Sequence, residues 1–125
     1  MKYLCLVYVQ ESTFDSMSQS ELDAMQDEAL ASDEELRRSG KLIMAQALQP
    51  VTEATTVRVR NGKLSTTDGP FAETTEHLGG FIFIEAADLN EAIQLAGRSP
   101  MARIGSIEVR PVMDLAAVVR DRPAR

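Results

Sequence analysis

Cysteine, histidine and tryptophan are scarce in this 125-residue chain, which has one, one and none of them. A lone Cys5 excludes an intramolecular disulfide, and its place among Leu4, Leu6 and Val7 reads as a buried, unreactive thiol. CxxC and HxxxH pairs are both missing, so the ligand spacings of common zinc sites are absent and no metal is expected. Nor is there a P-loop, a GxGxxG turn or a serine nucleophile elbow, and no cofactor is expected. No stretch approaches the ~20 apolar residues that span a bilayer. The apolar run 3–9 has one lysine before it and no small-residue cleavage pattern after it, unlike a signal peptide. The expectation is a cytoplasmic protein without a membrane partner. Repeats, low-complexity tracts and linkers are also missing, so residues 1–118 read as a single domain and 119–125 as a short C-terminal tail.

Basic charge is short in the first third of the chain. Residues 1–40 hold three basic and nine acidic side chains, which accounts for the whole net charge of −6, and residues 41–125 balance. Without a basic stripe such a surface repels phosphate backbones, so direct nucleic-acid binding is not expected. The acidic run itself reads as the solvated face of a helix.

What is present is a clear succession of elements. Residues 3–9 are apolar on both faces of a strand, and from Gln10 to Ser16 the chain becomes polar. Ser18 with Glu21 forms a capping box that opens a helix. Its apolar positions Leu22, Met25, Ala29 and Leu36, with Ser32 in the same seam, run to a stop at Gly40. Residues 41–48 predict a strand, and 55–60, the Asn61-Gly62 turn and 63–67 predict a hairpin. Residues 80–86, with Phe81, Ile82, Phe83 and Ile84 in a row, predict a strand with no wet face. Asp88 and Glu91 cap a second helix with Leu89, Ala92, Ile93 and Ala96 as its inward stripe, and 104–113 predict a last strand. With the hairpin set aside the order is βαββαβ, an α+β, ferredoxin-like pattern on an antiparallel sheet. Right-handed crossovers place both helices on one face of that sheet. The other face, apolar but uncovered, predicts a homodimer through the open sheet face, with the two sheets forming a dimeric α+β barrel.

Candidate site residues concentrate between the hairpin and the next strand. Thr67-Asp68-Gly69-Pro70-Phe71-Ala72-Glu73 is followed by Glu76, His77, Leu78, Gly79 and Gly80, a mixture of turn formers and titratable groups that suits a binding or catalytic loop. His77 suits a general base, or a plain surface or interface histidine. Asp68 suits an acid, a base or a ligand contact, or a carboxylate that bonds the amides of its own turn. Phe71, held by a rigid proline, suits a pocket wall or a dimer anchor, and Glu73 adds a second carboxylate. On the last strand, period two places Glu108 and Arg110 on the side away from Ile107 and Val109. There the Arg110 guanidinium suits a carboxylate clamp, or an ion pair with Asp68, Glu73 or Glu108.

Asp68-Gly69-Pro70-Phe71 also carries a family resemblance. The chain resembles the YciI-related proteins, in the branch named after its DGPF motif. The likeness extends through the opening strand, Thr56-Val57-Arg58-Val59-Arg60, Gly79-Gly80-Phe81, Ala86-Ala87-Asp88-Leu89 with Glu91-Ala92, and Gly105 to Pro111. It implies a ferredoxin-like dimeric α+β barrel; the Arg110 guanidinium suits a small anionic ligand, and the chemistry of relatives in the superfamily an aromatic-derived one. The resemblance also implies functional association with an alternative sigma factor system. Relatives in the wider superfamily isomerise lactones, dehalogenate or oxygenate small aromatic-derived compounds. The histidine/aspartate dyad of the YciI branch does not carry over, because the first helix has no histidine and Ser99 precedes Pro100 where an aspartate is expected. The resemblance therefore points to a small-ligand-binding or regulatory module, with a cofactor-independent acid/base enzyme using His77 and Asp68 as the alternative.

Overall fold

A four-stranded antiparallel sheet forms the centre of the computed structural model, which describes residues 1–124. Its strands are β1 (Lys2–Val9), β2 (Leu42–Ala47), β5 (His77–Glu85) and β6 (Ser106–Pro111), in the order β2-β5-β1-β6. Helices α2 (Gln19–Arg38) and α3 (Leu89–Ala96) supply the two crossovers. This is the ferredoxin-like α+β arrangement read from the sequence. The inserted hairpin, β3 (Thr55–Arg60) and β4 (Lys63–Asp68), forms a separate two-stranded sheet. Its turn has Asn61 and Gly62 at positive φ, 52° and 75°, as a two-residue hairpin turn requires. Among the described residues no helix is long and apolar enough to cross a membrane.

The strand that looks apolar on both sides divides its residues cleanly. Tyr3, Cys5, Val7 and Val9 are buried with Ile82 and Ile84 of β5, beneath Leu36 of α2 and Ala92, Leu95 and Ala96 of α3. Both helices thus cover one face. On the opposite face Leu4, Leu6, Tyr8, Phe81 and Phe83 stay half-buried, and Met44 on edge strand β2 is 49% exposed. In-register pairing stacks Leu4 beside Phe83 and Leu6 beside Phe81, so the uncovered apolar surface is continuous.

Local chemistry explains the helix boundaries. The Ser18 hydroxyl accepts from the Glu21 amide while the Glu21 carboxylate accepts from the Ser18 amide, closing the capping box. At the other end, the Gly40 and Lys41 amides donate back to the Arg37 and Leu36 carbonyls, a Schellman ending. The acidic run of α2 is partly paired on the surface: Glu34 bridges Arg37 and Arg38, and Glu28 meets Arg103 of α4 (Met101–Ile104) at 2.7 Å. That arginine holds the Glu28 carboxyl below its ordinary range. Such a surface is the solvated face expected of a charge run.

Several expected boundaries move. Residues 10–16 contain a helical turn, α1 (Ser12–Asp15), because Phe14 packs against the core. Strand β5 begins at His77 instead of 80, since a bulge between Val7 and Tyr8 lets β1 pair through Leu78 and His77. The inward stripe of α3 is Ala92, Leu95 and Ala96, whereas Leu89 and Ile93 are about half exposed. The last strand is shorter than residues 104–113. Helix α4 precedes it, and α5 (Leu115–Arg120) follows, capped by the Asp114 carboxylate on the Ala117 amide.

Burial fixes the state of the single thiol. Cys5 is completely inaccessible, and loss of hydration pushes its pKa from 9.0 up to about 11. An unfolded thiol ionises earlier, so its contribution to stability is full below pH 9 and is lost as pH rises toward 11. Urea unfolding is expected to report a loss of roughly 2–3 kcal/mol from this group between pH 8 and pH 11. Cys5→Ala, though weaker overall, is expected to lack that component. Equal alkaline slopes in the two proteins would remove the assignment.

Candidate functional site

The hairpin register brings the loop to the sheet. With Asn61-Gly62 at the turn, Thr55 faces Asp68 and Thr56 faces Thr67, so β4 ends where the loop begins. Gly69 follows at φ +99°, in the left-handed region where a side chain would be strained. Its amide donates to the Ala54 carbonyl at 2.8 Å, and the Thr56 hydroxyl donates to its carbonyl at 2.9 Å. The start of the loop is therefore held by the backbone and by Thr56. Among the described residues nothing donates to the Asp68 carboxylate, so the turn does not depend on that group.

The far end is tied as well. The Thr74 hydroxyl donates to the Glu76 carbonyl, and the Glu76 carboxylate accepts from the Ser106 hydroxyl at 2.7 Å. This links the loop to the start of β6. His77 then enters β5 opposite Val9.

Between these two anchors lies an open hollow of about 580 Å³, lined by Asp68, Gly69, Pro70, Ala72, Glu73, Thr74, Thr75 and His77. Three of the sequence candidates, Asp68, Glu73 and His77, thus share one concavity. The lining offers two carboxylates, two hydroxyls and an imidazole, and it contains no lysine or arginine. Chemically it is rich in hydrogen-bond acceptors, with two hydroxyls and an imidazole that also donate.

The other candidates lie elsewhere. Phe71 is 76% exposed outside the lining, with the Arg58 guanidinium 5.5 Å from its ring centroid, a cation–π spacing. Glu108 and Arg110 sit on the open face of β6, beside Leu6 and Leu4 of β1. The Arg110 Nε lies 3.6 Å from the Glu108 carboxylate, so of the ion pairs considered for Arg110 the one with Glu108 forms. Ser99, at the position expected of an aspartate, is buried, and its hydroxyl accepts from the Met101 amide. Thr74 and Thr75 join the lining as well, and their residue type carries no signal of it in the sequence. Only their position between two charged candidates hinted at a lining role.

Comparison with known proteins identifies the family. A family model described as "YCII-related domain" matches residues 1–116. An uncharacterised protein of Rhizobium meliloti (strain 1021) is 38% identical over 114 residues, covering 90% of this chain and 92% of that protein. With a matched segment that runs through every strand of the sheet and through the loop that lines the hollow, the chain belongs to the YCII-related domain family.

Proposed function

We propose that this chain is a dimeric module that binds a small polar ligand in the hollow between Asp68 and His77. The observation that carries this reading is the convergence of Asp68, Glu73 and His77 on one concavity, while Arg110 pairs with Glu108 outside it. A lining rich in acceptors favours a ligand that presents hydrogen-bond donors, such as an amine or a polyol. The anionic ligand expected from the Arg110 guanidinium would instead sit on the open face, beside Leu4. Dimerisation through that face is part of the same reading. It covers Leu4, Leu6, Phe81 and Phe83, and it leaves the acidic helix α2 of each copy on the outside.

A thermal-shift panel of amines, polyols, carboxylates and phenols tests the site. A ligand present at ~100 times its Kd stabilises by about 2.7 kcal/mol, a shift of several degrees. The expected pattern is a shift in the parent that is lost in Asp68→Asn and Glu73→Gln and kept in Arg110→Ala. A shift kept in both hollow variants, or lost only in Arg110→Ala, would overturn the placement.

A second reading draws on one specific observation, that His77 and Asp68 share the hollow. An imidazole and a carboxylate that line one hollow suit proton transfer on the bound ligand without a cofactor. In that case His77→Gln keeps the thermal shift and abolishes turnover.

A further inference from the structure

Edge strand β6 presents a charge pattern that an antiparallel copy of itself complements. Glu108 and Arg110 are two residues apart on the open face, with side chains 51% and 70% exposed. They lie along the margin of the apolar surface, Glu108 beside Leu6 and Arg110 beside Leu4. Their contact within the chain is a single approach of 3.6 Å through Nε. The two terminal nitrogens of a guanidinium form a fork that can grip a carboxylate in two parallel bonds.

In an isologous interface, residue i of one copy meets residue j of the other, and j meets i. Two β6 strands related by a two-fold axis near Val109 run antiparallel, so a negative residue followed two positions later by a positive one meets its own complement. We propose that Glu108 and Arg110 form reciprocal ion pairs with Arg110 and Glu108 of a second copy of this chain, setting the register in which two open faces meet. The inference rests on the dimer reading above and adds its geometry. Charge also favours this occupant. The chain carries −6 overall, with the excess in residues 1–40 and chiefly on α2, which packs against the other face of the sheet. The open margin of β6 contributes one charge of each sign, so two copies meet there without net repulsion.

Glu108→Arg makes this margin doubly positive and Arg110→Glu makes it doubly negative. Each variant alone is expected to dimerise more weakly than the parent, by roughly tenfold or more, because like charges face one another. An equimolar mixture is expected to form heterodimers in excess of random pairing, resolved by native mass spectrometry. A pair that acts only within one chain gives no such preference. Both side chains are more than half exposed, so circular dichroism spectra should match the parent, and any fall in melting temperature should follow the weaker association and depend on protein concentration. A parent chain that is monomeric at micromolar concentration overturns the dimer reading and this inference together. A dimeric parent whose variants mix at random overturns the inference alone.

Discussion

Gly105→Ala is expected to destabilise the chain by about 3 kcal/mol and to lower its melting temperature by roughly 10 °C. A Cβ at this position would lie 2.1 Å from the Tyr8 carbonyl oxygen and 2.9 Å from a Val9 methyl. The first obstacle is backbone in an interior strand, with β5 on one side and β6 on the other, so it has no room to retreat. A flexible side chain would move aside; this carbonyl cannot. Gly97→Ala is the control, since its nearest contact would be 3.4 Å, and a change of under about 1 kcal/mol is expected there. Urea unfolding of the two variants checks the contrast. A near-neutral Gly105→Ala would mean that β6 does not approach β1 in this way. The effect should reach the hollow too, because the neighbouring Ser106 hydroxyl holds the Glu76 end of the loop.

Leu6→Lys is expected to convert the proposed dimer to monomer, seen by light scattering as an apparent mass equal to one chain. Leu6 lies on the open face between Phe81 and Glu108, on one of the two inner strands. Enclosing an ammonium between two apolar sheets costs several kcal/mol, and the neighbouring Glu108 carboxylate is already engaged by Arg110, so association should weaken by more than roughly a hundredfold. The chain itself should still fold, since Leu6 faces away from the core and is only half-buried. Gln26→Lys, on exposed α2, should leave the dimer intact. A Leu6→Lys protein that remains dimeric would place any self-association on some other surface.

The parts of the fold that were legible in the sequence are those set by local rules. Ser18 with Glu21, Asp88 with Glu91, and Asn61-Gly62 each specify a boundary through hydrogen bonds or backbone angles within a few residues, and all three form as read. Rules that depend on packing were less legible. Helix α3 is only eight residues long and carries Leu89, Ala92, Ile93, Leu95 and Ala96, so its apolar arc is broad. Contact with the sheet selects Ala92, Leu95 and Ala96 from it. The start of β5 depends on a bulge in its pairing with β1, which no local pattern announces. The hollow was half legible. Asp68, Glu73 and His77 are close in sequence and meet in space, whereas the place of Arg110 depends on strand order across the sheet. The anchoring role of Thr56 was within reach, because a two-residue turn at Asn61-Gly62 already places it opposite Thr67, two residues before Gly69.

The hairpin that carries Asp68 shares no strand pairing with the main sheet. An isolated two-stranded ribbon is marginal in water, so β3 and β4 belong to the least stable cooperative unit of the molecule. They can open while β1 and β5 remain intact. One wall of the hollow therefore stands on the segment expected to open first, and the other, at His77, stands on the four-stranded sheet. A ligand that bridges Asp68 and His77 would fasten the two together, and amide exchange in the hairpin would slow far more than exchange in the core.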